Sequence, residues 1–331
     1  MCGTMMEEVA SPLSLRGSKA AKLATDLQEV PQLESERSLM DLAKATHGAA
    51  HHKSNEDRIF SKCSRANGMI VQTFGVCDGH GGDEASELVH RVLPNVNRLL
   101  AVGRDVITAY TEAFRECEQT FESQHPQSKA GACAVSATIV GSTVWCANLG
   151  DSRCAVIKLN PRNRWTSQVV EKVHWMSKDH KATNPDEAAR VQKHGGQVVK
   201  GRVGGLVPTR CIGDTRVKDR HPGAISIEPE VRGMDLGENA EAIVICATDG
   251  VWDFVTGAML SNIVEYAADP RDVQSIARRV VEVALNRGSR DDCSAICGFV
   301  STAACDTNYS RSGSICATDS SSTSSVGTFS L

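Results

Sequence analysis

Apolar and polar positions change period several times along the 331-residue chain. Short, β-rich apolar runs are separated by longer stretches in which apolar residues recur every three or four positions. Met69–Val76 (MIVQTFGV), Thr143–Leu149 (TVWCANL), Cys154–Leu159 (CAVIKL), Ala242–Thr248 (AIVICAT) and Cys293–Val300 (CSAICGFV) read as strands. The second and third, joined by Gly150 to Arg153, read as hairpin partners. Glu84–Leu100, Arg104–Gln124 and Val273–Asn286 carry helical spacing, with Leu88, Val92 and Leu99 on one stripe of the first. Strand pairs and grouped helices, without a regular βαβ alternation, predict an α+β fold with antiparallel sheets and helices outside them.

The ends differ from the middle. Residues 1–37 show no sustained pattern beyond a short helical stretch at Lys19–Leu27, and are expected to be a flexible extension. Residues 303–331 are Ser-rich, offer little to bury, and are expected to be a disordered tail. One domain, 38–302, lies between them. A net charge of -4 provides no basic field for nucleic acid or an anionic membrane. No apolar run approaches the roughly 20 residues of a membrane span. The first residues lack the apolar core of a secretory signal, and Gly3 is one place too late for myristoylation. The 13 cysteines include no Cys-x-x-Cys pair and several sit in apolar runs. They read as reduced thiols in an intracellular protein, cytoplasmic or nuclear, expected to be a monomer.

Chemistry is suggested where the runs end. Asp78, Asp151, Asp249 and Asp291 each lie at an end of an apolar strand, most beside a glycine. Any one of these steps read alone is an ordinary turn, and His80 alone is an ordinary loop histidine. Taken together, acids held at strand ends repel one another unless a cation neutralises them. An all-oxygen donor set selects hard cations, Mg²⁺ or Mn²⁺, over zinc or copper. Hydrolysis of a phosphate ester is the chemistry that suits such a cluster best. Asp83 and Glu84 are expected to be first-turn helix acids rather than ligands.

Seven motifs follow one another in the order of a known family: SNEDRIF (Ser54–Phe60), VCDGHGG (Val76–Gly82), NLGDSR (Asn148–Arg153), SKDHKATNPDEAARVQKHGG (Ser177–Gly196), TRCIGD (Thr209–Asp214), ATDGVWD (Ala247–Asp253) and GSRDDCS (Gly288–Ser294). The chain from Thr46 to Val300 resembles the metal-dependent protein phosphatases, the type 2C serine/threonine phosphatases. That resemblance implies a central β-sandwich of two antiparallel sheets flanked by α-helices. It implies two metal ions, and a third at a weaker site. Asp78 is expected to bridge two metals, with Glu56 and the Gly79 carbonyl on one, Asp249 and Asp291 on the other, and Asp151 and Asp253 at the third. His80 is expected to protonate the leaving group. The expected substrates are phosphoserine and phosphothreonine on proteins, hydrolysed by a metal-activated water.

The chain departs from the family pattern in places. His52, beside His51 and Lys53, stands where an arginine usually grips the substrate phosphate, so His52 and Lys53 become the candidates for that role. Asp292 replaces a usual asparagine, Pro208-Thr209 a usual Val-Ser step, and Cys133 a usual Ser or Thr. The alternatives are a catalytically weak relative acting as a phosphoprotein-binding scaffold, and a phosphohydrolase for small metabolites. The retained acids weigh against the scaffold.

Overall fold

The computed structural model describes the backbone of residues 40–47, and residues 55–66, 68–160 and 168–302 in full. The expected extension 1–37 and tail 303–331 lie outside the described residues, as do His51, His52 and Lys53.

The chain runs β1 (Met40–His47), β2 (Arg58–Ala66), β3 (Met69–His80), α1 (Glu84–Val92), α2 (Val96–Ala101) and α3 (Val106–Gln124). It continues with β4 (Gly131–Val140), β5 (Thr143–Leu149), β6 (Arg153–Leu159), β7 (Val170–Trp175), α4 (Pro185–Lys193), β8 (Val198–Val199), β9 (Arg202–Val203) and β10 (Ile212–Gly213). Then come α5 (Thr215–Arg220), β11 (Glu230–Asp235), β12 (Glu241–Ala247), α6 (Asp249–Trp252), α7 (Gly257–Glu265), α8 (Val273–Asn286) and β13 (Cys293–Ser301).

Two antiparallel sheets form, ordered β1-β13-β12-β6-β7 and β11-β5-β4-β3-β2, with β10 paired to β4. Side-chain alternation sorts each strand between two cores. Phe74, Val76, Val135 and Ala137 meet Val156, Val244, Cys246 and Ile296 between the sheets. On the opposite faces, Val71, Cys77 and Ala134 pack under α1 to α3, and Ile243, Ile245 and Ala295 under α6 to α8. The layers are helix, sheet, sheet, helix, as expected.

Two expectations are corrected. Thr143–Leu149 and the run after it are not hairpin partners: β5 pairs with β4 and β11, while β6 pairs with β12 and β7 in the other sheet. The Gly150–Ser152 link crosses between sheets, and Asn148 Nδ2 donates to the Gly150 and Lys178 carbonyls to hold it (3.0 and 3.1 Å). Both strands are apolar on both faces, so their period carries no information about partners. The helix expected over 84–100 is broken. α1 stops at Val92, a 3₁₀ turn spans Leu93–Asn95, and α2 restarts at Val96. Pro94 has no N–H to continue the hydrogen-bond ladder of α1.

A smaller apolar cluster of Cys133, Ala182, Val191, Cys211 and Ile225 carries the segment between β7 and β11. Its polar anchor is Glu187, 3% exposed. Glu187 accepts from Arg210 (2.5 Å), Arg190 (3.1 Å) and the Thr209 hydroxyl (2.5 Å). Burial alone would raise its pKa, but the bonds from Arg210 and Thr209 outweigh burial and bring it down to about 2. Stability from this group is therefore complete above the ordinary carboxyl pKa near 4.5 and is lost as pH falls toward 2. Glu187→Ala leaves Arg190 and Arg210 without their carboxylate partner and should cost about 3–5 kcal/mol, read as a lower Tm. Below pH ~4.5 the gap between the two proteins should narrow. A gap independent of pH would refute this account of the cluster.

Candidate metal centre and proton donor

Strand pairing brings the acids to one end of the sandwich. Asp78 lies within β3, two residues beyond Val76, so it continues the inward-facing series Phe74, Val76. Its strand neighbour is Cys133, and the adjacent Ala134 faces Leu149, so Asp151 follows just beyond. In the other sheet Ala247 lies between Arg153 and Ala295, which places Asp249 and Asp291 at the same end. Glu56 and Asp57 precede β2, whose Arg58 faces Cys77. Asp249 opens α6 rather than simply ending a strand.

One carboxylate oxygen from each of Asp78, Asp151 and Asp249 lies within 4.8 Å of the others. Burial, followed by the charges of Asp249, Asp57, Asp151 and Asp291, pushes the Asp78 carboxyl far above its usual range. Burial and the neighbouring Asp151, with Asp291 and Asp253, raise Asp249 to about 7, although Lys181 opposes the shift. Asp291 accepts from the Asp292 N–H (2.9 Å) and Asp253 sits at the rim, its side chain 52% exposed. Glu56 is held through its backbone: its N–H donates to Asp292 Oδ2 (2.8 Å) and its carbonyl accepts from Ser86 Oγ (2.5 Å). Asp292 is 4% exposed and ties Glu56 to the start of β13. A Cβ on Gly79 would collide with the Glu56 carbonyl, so glycine permits this approach. An all-oxygen set whose pKa values are raised by burial and then by mutual repulsion fits a hard divalent cation.

Lys181 reaches into this cluster. Its Nζ lies 3.4 Å from Asp151, 3.6 Å from Asp253, 3.7 Å from Asp179 and 3.9 Å from Asp249. His80 stands beside it, its Nε2 2.6 Å from Asp214 Oδ2. Burial works against the imidazolium, but the hydrogen bond and charge of Asp214, with Asp151 and Glu56, outweigh it and raise the His80 pKa. Asp214 adopts left-handed backbone at φ 51, an uncommon conformation held by its N–H bond to the Ala130 carbonyl (3.0 Å).

Residues 41–293 match the family model described as Protein phosphatase 2C. The chain belongs to the protein phosphatase 2C family. It is 31% identical over 248 residues to "Probable protein phosphatase 2C 76" of Arabidopsis thaliana, covering 73% of this chain and 54% of that protein. It is 30% identical over 243 residues to "Protein phosphatase 1A" of Homo sapiens, covering 67% and 61% respectively. The chain thus spans about half the length of the first relative and under two thirds of the second. The solved structure of a serine-threonine phosphatase 2C from Toxoplasma gondii superposes with a TM-score of 0.60 at 21% identity, over 79% of this chain and 95% of that one. The family fold is shared.

Within this protein phosphatase 2C domain, Glu56, Asp78, Gly79, Asp249, Asp291, Asp151 and Asp253 gather at one end of the sandwich, with His80 beside them. Asp83 and Glu84 are apart from the cluster. Asp83 pairs with Arg58 (2.7 Å), and Glu84 lies in the first turn of α1. Three participants were given no role from sequence: Asp57, Lys181 and Asp214. Asp57 accepts from Thr248 Oγ1 (3.1 Å), and burial, reinforced by Asp292 and Asp249, lifts it to about 8 despite hydrogen bonds from Ser294 and Thr248. All three lie inside the quoted motifs, so position within a motif was the available signal.

Proposed function

We propose that the chain is a metal-dependent protein serine/threonine phosphatase using Mg²⁺ or Mn²⁺. The observation that supports it is the convergence of Asp78, Asp151 and Asp249 beside the His80–Asp214 pair, in a chain of the protein phosphatase 2C family. Glu56, Asp78 and the Gly79 carbonyl would hold one ion, Asp78, Asp249 and Asp291 a second, and Asp151 with Asp253 a third. When bound, such ions supply positive charge that acidifies an attacking water and neutralises phosphoryl oxygens.

The side chains do the rest. The strand and helix termini hold the carboxylates in place before any ligand arrives, so little reorganisation is needed. Asp214 keeps His80 oriented through Nε2 and favours its charged form. The proton on the other ring nitrogen, Nδ1, is then the one available to the departing seryl or threonyl oxygen. Lys181 offsets part of the negative charge at the Asp151–Asp253 edge. The phosphate-gripping role of His52 and Lys53 rests on the motif alone. Phosphate release from a phosphothreonine peptide should occur with Mn²⁺ and fall to background with EDTA or in Asp249→Asn. Equal rates under all three conditions would refute the reading.

A further inference from the structure

A second constellation includes His80 itself, and its donors are of a different kind. One donor atom each of His80, Cys211 and Asp214 lies within 4.8 Å of the other two. Asp214 Oδ2 is the shared vertex, 2.6 Å from Nε2 and 3.2 Å from Sγ. Cys211 is fully buried and Asp214 is 5% exposed, so two of the three donors are fixed in the interior. The His80 side chain is 31% exposed and leaves the group one side open to solvent.

The surrounding backbone leaves room for these three atoms. A Cβ added at Gly131 would fall onto Asp214 Oδ2 and His80 Nε2, so only glycine leaves this space clear. The walls are anchored as well. β10 pairs with Gly131 and Ala132 of β4, the Cys211 N–H donates to the Ser226 carbonyl (3.1 Å), and Lys218 Nζ donates to the Cys211 carbonyl (2.9 Å).

We propose that Cys211, His80 and Asp214 form an inhibitory site for a soft divalent cation, zinc, distinct from the carboxylate centre. One thiolate, one imidazole nitrogen and one carboxylate oxygen are zinc's preferred protein donors, and three protein ligands with an open fourth position suit its tetrahedral habit. The thiolate discriminates against Mg²⁺ and Mn²⁺, which prefer the all-oxygen cluster. On binding, zinc takes the place of the thiol proton and of the proton between Nε2 and Oδ2, and both leave to solvent. His80 is then held by zinc instead of by its hydrogen bond to Asp214, which removes the orientation that aims its Nδ1 proton at the departing oxygen. The inhibitory consequence rests on the proposed phosphatase reading, whereas the binding site does not.

Two measurements on the full chain separate these. In excess Mg²⁺, to occupy the carboxylate centre, Co²⁺ is added as a spectroscopic stand-in for zinc. A thiolate-to-cobalt charge-transfer band should appear, be abolished by added Zn²⁺, and be missing in Cys211→Ala. No band in the unaltered chain, or a band that persists in Cys211→Ala, overturns the site whether or not the protein is a phosphatase. In the activity assay, each protein is normalised to its own zinc-free rate. The zinc concentration for half-inhibition should rise roughly tenfold or more in Cys211→Ala. Equal zinc sensitivity in the two proteins overturns the inhibitory role.

Discussion

Asp78→Asn should abolish metal-dependent turnover while making the metal-free protein more stable. The two effects have opposite sign because Asp78 occupies the most crowded point of the cluster. Burial and four neighbouring carboxylates disfavour its charge, so a neutral amide removes repulsion that the metal-free protein otherwise carries. The same amide lacks the negative oxygen that Asp78 would offer to bound cations. Losing several kcal/mol of transition-state charge stabilisation corresponds to a rate drop of about 10³-fold or more. Phosphate release with Mn²⁺ reads the first effect, and Tm in EDTA reads the second. Mn²⁺ should raise the Tm of the parent chain and leave that of Asp78→Asn nearly unmoved.

The same physics sets a pH signature for the metal-free protein. Asp249, at about 7, and Asp57, at about 8, hold folded pKa values above their ordinary 3.8. Groups shifted upward contribute stability that is present below the unfolded pKa and is lost as pH rises through the folded one. In EDTA, Tm should therefore decline between pH ~4 and ~8 as these groups are forced to ionise, and Mn²⁺ should flatten the decline. A metal-free Tm that rises across that window would contradict the repulsive-cluster account, as would an Asp78→Asn protein less stable than its parent in EDTA.

His80→Ala should slow hydrolysis of a phosphothreonine peptide by about 10²–10⁴-fold and p-nitrophenyl phosphate far less. The threonyl oxygen is a poor leaving group until protonated, whereas p-nitrophenolate departs without help. A histidine serving only to shape the pocket would lower both rates alike, so the ratio of the two substrates decides the role. Asp214→Asn supplies an internal check. Asp214 is what raises the His80 pKa against burial. The proton-donating form is populated below that pKa and lost above it. Removing the charge of Asp214 should move the alkaline limb of the peptide pH profile to lower pH. An unmoved limb would separate His80 from the observed proton transfer.

Much of the fold was legible because the segments carry strong local signals. α3 (Val106–Gln124) and α8 (Val273–Asn286) appear almost as their apolar spacing indicates, each opened by an Asp that accepts from the backbone N–H three residues on. The doubly buried strands were legible as strands but not as partners, and the β5–β6 misassignment arose there. Pro94 was a visible breaker inside an otherwise continuous stripe, and the chain obeyed the proline rather than the stripe. The site was legible as a list of acids because each ends or borders an apolar run.

Cys211 illustrates what a list misses. In sequence it is one apolar position between Arg210 and Ile212. In the fold it lies against Asp214 Oδ2, next to a histidine 131 positions earlier, in a space kept open by Gly131. Lys181 is similar: one position inside the Ser177–Gly196 motif in the sequence, and in space the cation among Asp151, Asp179, Asp249 and Asp253.

By itself the sequence determined the strands at Met69–Val76, Thr143–Leu149, Cys154–Leu159, Ala242–Thr248 and Cys293–Val300 and the helices α3 and α8, because periodicity acts over a few residues. It also determined the chemical character of the centre, because an all-carboxylate donor set admits hard cations whatever the fold. Only the tertiary structure decided which sheet each buried strand joins, which acids converge within 4.8 Å of one another, and that the Cys211 thiol meets the same Asp214 oxygen that bonds His80. Those outcomes depend on through-space distances of a few ångströms between residues far apart in the chain, where repulsion, burial and ligand geometry take effect.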